Sequence, residues 1–347
     1  MRRTRVCVIR RGSWSLRFSR RALAAGMGCF LAALALGILV IGSGDYPMSA
    51  GDVLRTLAGG GTRPETFIVN NVRLPRVVTA LLAGAALALA GAVFQTLTRN
   101  PLGSPDVLGF TQGATAGALL AIVVFGADSG ALAGGAVLGG VATGGLIYAV
   151  VWPRGLHGYR LILVGIGTAA ILTGFNGYLL TRAQITEAAR ATLWLTGNLN
   201  GRGWEDVLPL AVAMVVLVPL VLLGLGRPLR LLEMGEDTAR VLGVRVERLR
   251  TALLVAAVLL TAFAAAAVGP VAFVALTAPH LARRLTRTPG PNLAVSLCMG
   301  AVLLVGADWV AQHAVPGREL PVGVVTGLLG GGYLVGLLAA ERRAGRI

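Results

Sequence analysis

Residues able to carry chemistry are sparse in this chain, and what is missing narrows the choices. All 31 basic residues are arginine. With no lysine, neither a G-x-x-x-x-G-K-[ST] phosphate loop nor a Schiff base is available. If ATP drives this protein, a partner chain holds the ATP and magnesium and hydrolyses it. Cys7, Cys29 and Cys298 are too scattered for a disulfide framework or a CxxC site. His157, His280 and His313 have no second ligand at metal spacing, so no metal or cofactor is expected on this chain. What stands out instead is a run of charge at 228–250, PLRLLEMGEDTARVLGVRVERLR, between two long apolar stretches. On a helix, Leu231, Gly235, Ala239 and Leu242 would share one narrow face. Glu236, Asp237 and Arg240 fall on the other side, with Glu236 and Arg240 spaced for an i,i+4 ion pair. A small amphipathic helix slung between apolar runs is built to touch something.

The elements that hold this helix are those of a membrane bundle. The chain is 55% hydrophobic and 13% charged, with a mean hydropathy of +0.77, whereas a soluble domain carries roughly 25% charge. Apolar runs at about 22–42, 76–97, 106–126, 130–151, 160–181, 207–225, 249–268, 271–285, 292–312 and 321–340 predict ten spans. The expected fold is an all-α polytopic membrane protein with both termini in the cytoplasm. Residues 1–21 carry eight arginines and no acid, and read as a basic cytoplasmic segment. The apolar run behind them is too long for a signal peptide. Residues 22–341 form one transmembrane domain containing the cytoplasmic segment 228–247, and 342–347 form a cytoplasmic tail. This topology puts 23 of the 31 arginines inside, as the positive-inside rule requires. The net charge of +16 therefore belongs to loops at the bilayer surface, without the interleaved aromatics of a nucleic-acid stripe.

Within the spans, 271–285 is short for a full crossing, and 182–206, with Trp194 and Trp204, reads as interfacial. Many of the 49 glycines fall in runs such as 83–92 and 130–145, where they let helices approach closely. Asp308 is the clear acid inside a span, and one carboxylate cannot form a relay, so a structural pairing is expected. A path for bare cations would need several carboxylates, which points to a bulkier cargo.

Three more segments punctuate the spans. Arg73-Leu74-Pro75-Arg76 opens one at its outer mouth, and Asn100-Pro101-Leu102-Gly103-Ser104-Pro105-Asp106 breaks the helix where a hairpin must turn. Gly269-Pro270-Val271-Ala272-Phe273-Val274 leads into Pro279-His280-Leu281-Ala282-Arg283-Arg284. Together with GAVFQ at 91–95 (ending on Gln95), GEDTARVLGV at 235–244 and ELPVGVVTGLLGG at 319–331, these motifs resemble permease subunits of the ABC importers for iron-siderophores, haem and cobalamin. The resemblance runs in order over about 46–338. Ala272, Ala275, Gln312 and Gly330-Gly331-Gly332 depart from the family's commonest residues, in the direction of ferric catecholate siderophore permeases.

The resemblance implies a machine and assigns parts to it. Two permeases, identical or paired, would enclose a pathway in a bacterial cytoplasmic membrane. Two cytoplasmic ABC ATPases would dock on coupling helices, and an extracytoplasmic binding protein would deliver cargo for alternating access. Gly235, Glu236, Ala239, Leu242, Gly243 and Val244 would form the ATPase contact, with Ala239 allowing close approach and Leu242 filling a groove. Arg55, Arg63, Arg73, Arg76 and Arg318 are the candidates to meet acids on the binding protein. Gln95, Asn100, Pro101, Pro105, Asp106, Gly269, Pro270, Pro279, His280, Asp308, Glu319 and Pro321 would be structural or pathway positions. The competing cargoes are cobalamin and haem. An ion-coupled secondary transporter would need more buried acids and leaves 228–250 unexplained.

Overall fold

The computed structural model describes residues 6–11, 14–126, 129–154, 158–288 and 290–343. His157 and residues 344–347 of the expected tail lie outside them. The N-terminal segment is more than a tail: β1 (Val6–Arg11) and β2 (Trp14–Ser19) pair antiparallel, with Val6 opposite Ser19 and Arg11 opposite Trp14. The all-α expectation thus applies to the membrane domain alone. Trp14, Leu16 and Phe18 alternate with Ser15, Arg17 and Ser19, the two-residue period of a strand.

Ser19 then caps α1 (Arg20–Gly42), its hydroxyl accepting the Ala22 N–H at 3.0 Å. The polar, turn-rich region 43–75 contains α2 (Ala50–Leu57) and α3 (Arg63–Phe67). Through a π-helical stretch, Ile68–Arg73, α3 continues into α4 (Leu74–Thr98), a single 36-residue helix. The bundle goes on with α5 (Phe110–Val123), α6 (Ser129–Val151), α7 (Gly158–Arg182) and α8 (Ile185–Leu195). A second long helix joins α9 (Trp204–Pro219) to α10 (Gly226–Glu233) through the π-helical stretch Leu220–Leu225. Pro219, which lacks a backbone donor, stands where that ladder changes. The short α11 (Glu236–Val241) follows, then α12 (Val246–Val268), α13 (Val274–Thr286), α14 (Leu293–His313) and α15 (Val322–Arg343).

Among the described residues, seven helices are long and apolar enough to cross a membrane, and two apolar ones, Phe110–Val123 and 322–337, are shorter. The tenth expected span is α13, whose 13 residues reach about 20 Å against a hydrocarbon core of about 30 Å. At that length it is too short for a full crossing, as its short apolar run predicts.

Helix α4 is the central post, buried almost without interruption from Ala83 to Thr98. A run of Ala, Gly and Leu makes this possible because neighbours can touch its backbone. A Cβ on Gly84 would strike the Gly300 carbonyl of α14, and one on Gly91 would strike the Ala275 carbonyl of α13. Gly117 of α5 meets Gly135 of α6 in the same way. Gly91→Val should therefore push α4 from α13 and cost about 1–3 kcal/mol. Gly167→Ala, at a position open on all sides, should leave the melting temperature of the detergent-purified chain unchanged where Gly91→Val lowers it.

Candidate functional site

The charged segment folds as a helix, a break and a second short helix. Gly235, at φ 122°, separates α10 from α11, a conformation that a side chain would strain. Behind α11 the chain closes in a Schellman turn: Gly243 (φ 83°) donates to Arg240 O at 2.9 Å and Val244 donates to Ala239 O at 2.9 Å. The break at Gly235 means that Leu231 and Leu242 do not share one helical face. Ala239 is fully buried against its own chain, so the small residue read as an outward contact faces inward. The outward groups are Met234, Val241 and Leu242, with Val241 87% exposed, beside Asp237 and Arg240.

A buried guanidinium holds α11 in place. Arg250 of α12 is 5% exposed, and its Nη2 donates to Glu236. Its Nη1 lies 3.7 Å from Glu247, and its Nε has no hydrogen-bond partner among the described residues. Arg240 adds a weaker ion pair to Glu236 at 3.7 Å. Burial alone would raise the Glu236 carboxyl, but the Arg250 hydrogen bond and the charges of Arg250, Arg99 and Arg240 hold it below its usual value. Arg99 also donates to Leu232 O at 3.2 Å, and with Met234, Gly235, Glu236, Asp237 and Thr238 it lines a polar depression of about 460 Å³. The turn after α4 is thereby tied to the α10–α11 corner.

That turn docks on the second half of the chain. Arg99 caps α4 in the left-handed region (φ 50°), and Asn100 Oδ1 accepts the Leu102 N–H at 2.9 Å. Pro101 O lies 2.8 Å from His280 Nε2 on α13. Gln95 donates to Leu276 O at 3.0 Å and accepts from Arg283. Asp106 accepts from Thr111 Oγ1 at 2.6 Å and from the Phe273 backbone N–H. Past Gly269 (φ 83°) and Pro270, Phe273 takes φ 68° and fits against Gly330 of α15, where any Cβ would collide with it. Pro105 and Pro279 are buried beside these contacts, and Pro101 is exposed.

At the opposite end of the bundle the five candidate docking arginines separate. Arg76 does not face outward as a free charge: its Nη2 reaches Asp308 Oδ1 at 2.9 Å and its Nε reaches Oδ2 at 3.1 Å. Its Nη1 bonds Glu319 at 3.1 Å, and Gln312 donates to Asp308 at 2.8 Å. This fork joins α4, α14 and the segment before Pro321, and gives Asp308 the structural pairing expected of it. Arg73 donates to Ile41 O and Tyr46 O at 2.7 and 2.9 Å, and closes the top of α1. Arg55 pairs with Asp52 at 3.3 Å, while Arg63 and Arg318 are exposed.

A profile of the FecCD transport family matches residues 14–340. The chain belongs to the FecCD transport family. It is 46% identical over 325 residues to the ferric enterobactin transport system permease protein FepG of Escherichia coli (strain K12), across 94% of this chain and 98% of FepG. FepD, the ferric enterobactin permease protein of the same organism, is 37% identical over 88% of this chain and 92% of its own. The achromobactin transport system permease protein CbrC of Dickeya dadantii (strain 3937) is 34% identical across 97% of both chains. Among solved structures, a metal-chelate type ABC transporter in an inward-facing conformation superposes with a TM-score of 0.82 at 28% identity. That match covers 92% of this chain and 99% of the other.

In this FecCD chain the motifs legible in the sequence mark where the two halves interlock, and the residues that do the locking were harder to see. Arg250 is hidden in an arginine-rich run, and the only hint was its position inside the first turns of an apolar helix. Removing its partner leaves a buried charge uncompensated, a loss of about 3 kcal/mol or more. Glu236→Ala should therefore loosen α11, seen as faster amide exchange across 236–244 with α4 unchanged. Because the folded carboxyl titrates below its usual value, the latch is complete above that value. It is lost only as pH falls through the lowered one.

Proposed function

We propose that this FecCD chain is the permease subunit of an ATP-driven importer in a bacterial cytoplasmic membrane, moving a ferric siderophore by alternating access. The observation that carries the reading is the exposed Met234–Val241–Leu242 surface on a short helix latched to α12 by Arg250 and Glu236. An apolar patch on a rigid mount suits a contact through which another protein pushes. Cytoplasmic ABC ATPases are that partner, and they carry the ATP and magnesium.

The relatives named for ferric enterobactin and achromobactin support a siderophore cargo, with a catecholate as first choice. Two ferric enterobactin permease proteins from one organism, both similar to this chain, support pairing with a second permease. The broad apolar exposure of α7, including Leu163, Ile166 and Ile171, and of α15, including Leu328 and Val335, leaves surface for that subunit and for the pathway. Arg63, Arg318 and the exposed part of Arg55 are the arginines offered to an extracytoplasmic binding protein. Ion-coupled transport loses its one candidate carboxylate, since Asp308 is held by Arg76 and Gln312.

Val241→Asp places a charge on the proposed contact without disturbing buried Ala239. It should abolish co-purification of the ATPase while the variant keeps the elution volume and melting temperature of the parent. Normal co-purification and uptake would sink the coupling assignment. In proteoliposomes containing the full complex, ferric enterobactin should accumulate only with ATP and at least tenfold above cobalamin or haem. A preference for either of those would overturn the cargo, and uptake driven by a proton gradient without ATPase would overturn the machine.

A further inference from the structure

Away from the proposed coupling surface, a groove of about 840 Å³ lies between α1, the α9–α10 helix and the start of α14. Its lining is apolar over most of its length, including Leu23, Met27, Phe30, Leu222 and Val295. Polar groups gather at one end, where Ser19, Arg230, Thr288 and Asn292 line it. Ser19, Thr288 and Asn292 are already engaged locally: Ser19 caps α1, and Thr288 and Asn292 bond each other at 3.0 Å. Arg230 is the charged side chain of the lining and is exposed. Arg20, Arg21 and Arg227 stand on the first turns of α1 and α10, so positive charge dominates this end. One acid, Glu233 of α10, also reaches this end, its Oε2 3.7 Å from where a Cβ on Gly290 would stand, and it is shared between Arg283 and Arg230.

The length of the groove selects its occupant. From Ser19 to Phe30 it follows α1 for eleven residues, a rise of about 16 Å, or roughly half of a 30 Å hydrocarbon core. A partner's transmembrane helix would need a groove running the full thickness, whereas an acyl chain occupies one leaflet. A basic mouth at headgroup level above an apolar slot between helices has the chemistry of an anionic phospholipid site. We propose that the groove binds an anionic phospholipid from the arginine-rich leaflet, with an acyl chain between α1 and α14 and the phosphate on Arg230. The lipid fills the slot where α1 stands off from the α9–α10 helix.

Native mass spectrometry of the full-length chain, titrated with phosphatidylglycerol or with phosphatidylcholine of the same acyl chains, tests this directly. The parent should retain phosphatidylglycerol at least fivefold better. Arg230→Gln should bring the two lipids within twofold, and Arg248→Gln, on an exposed turn of α12, should not. Gly26→Phe, at a lining position where a Cβ has room, should fill the slot and lower retention of both lipids. Equal retention of the two lipids by the parent, or a preference that survives Arg230→Gln, would overturn the site. So would unchanged retention in a folded Gly26→Phe chain. Should Gly26→Phe fail to fold, Arg230→Gln decides alone.

Discussion

Packing in a bilayer gains nothing from hiding apolar surface, because the lipid is as apolar as the helices, so association rests on close contact and satisfied polar groups. Helix α4 meets this constraint at three levels. Its middle uses Gly84 and Gly91 to bring backbones together. One end carries Arg76, whose guanidinium is neutralised by Asp308 and Glu319. The other carries Gln95, whose amide is satisfied by Leu276 and Arg283. Each neighbour fixed this way, α13 and α14 above all, in turn places a loop that the proposed function uses.

The polar ties at the arginine-rich end form a connected path. Glu236 on α11 is held by Arg250 on α12, and the α10–α11 corner is held by Arg99 from the end of α4. The turn beyond Arg99 is held by His280 on α13. A push on the exposed face of α11 is therefore shared between both halves of the chain rather than absorbed by a floppy loop. The two ion pairs differ in kind. Arg76 with Asp308 is a nearly saturated fork, whereas Arg250 has no hydrogen bond at Nε or Nη1 among the described residues, so the α11 latch is the less satisfied of the two.

Hydropathy made the spans legible because a membrane helix has to be apolar along its whole length, and Gly–Pro chemistry made the two helix-breaking turns legible. The sequence misled where the outcome depended on a partner far along the chain. Arg76 looked like a loop charge because Asp308 stands 232 residues away. Ala239 looked like a contact because the stripe from Leu231 to Leu242 was read as one helix, although Gly235 sat inside it. A stripe of small residues marks close approach, but it does not say whether the neighbour is another protein or the chain's own α12. The β1–β2 pair has a sequence signature in the alternation of Trp14, Leu16 and Phe18, set among arginines that equally suit a cytoplasmic tail.

The same small-residue logic bears on how such a bundle can move. Backbone-to-backbone crossings such as Gly84 with Gly300 have no side chain to re-pack, so they cannot take up displacement by rotamer changes. Motion is then confined to places where the regular ladder is already interrupted. Among these are the π-helical stretches at Ile68–Arg73 and Leu220–Leu225, and the positive-φ residues Arg99, Gly235, Gly269 and Phe273. They border α4, α10, α12 or the segment entering α13; α10 runs directly into α11, α12 is bonded to it through Arg250, and Arg99 ties the end of α4 to α10. Under the proposed coupling, a rigid centre with its interruptions at the periphery would let one short, well-anchored helix reorient whole spans, which is what a permease driven from outside requires.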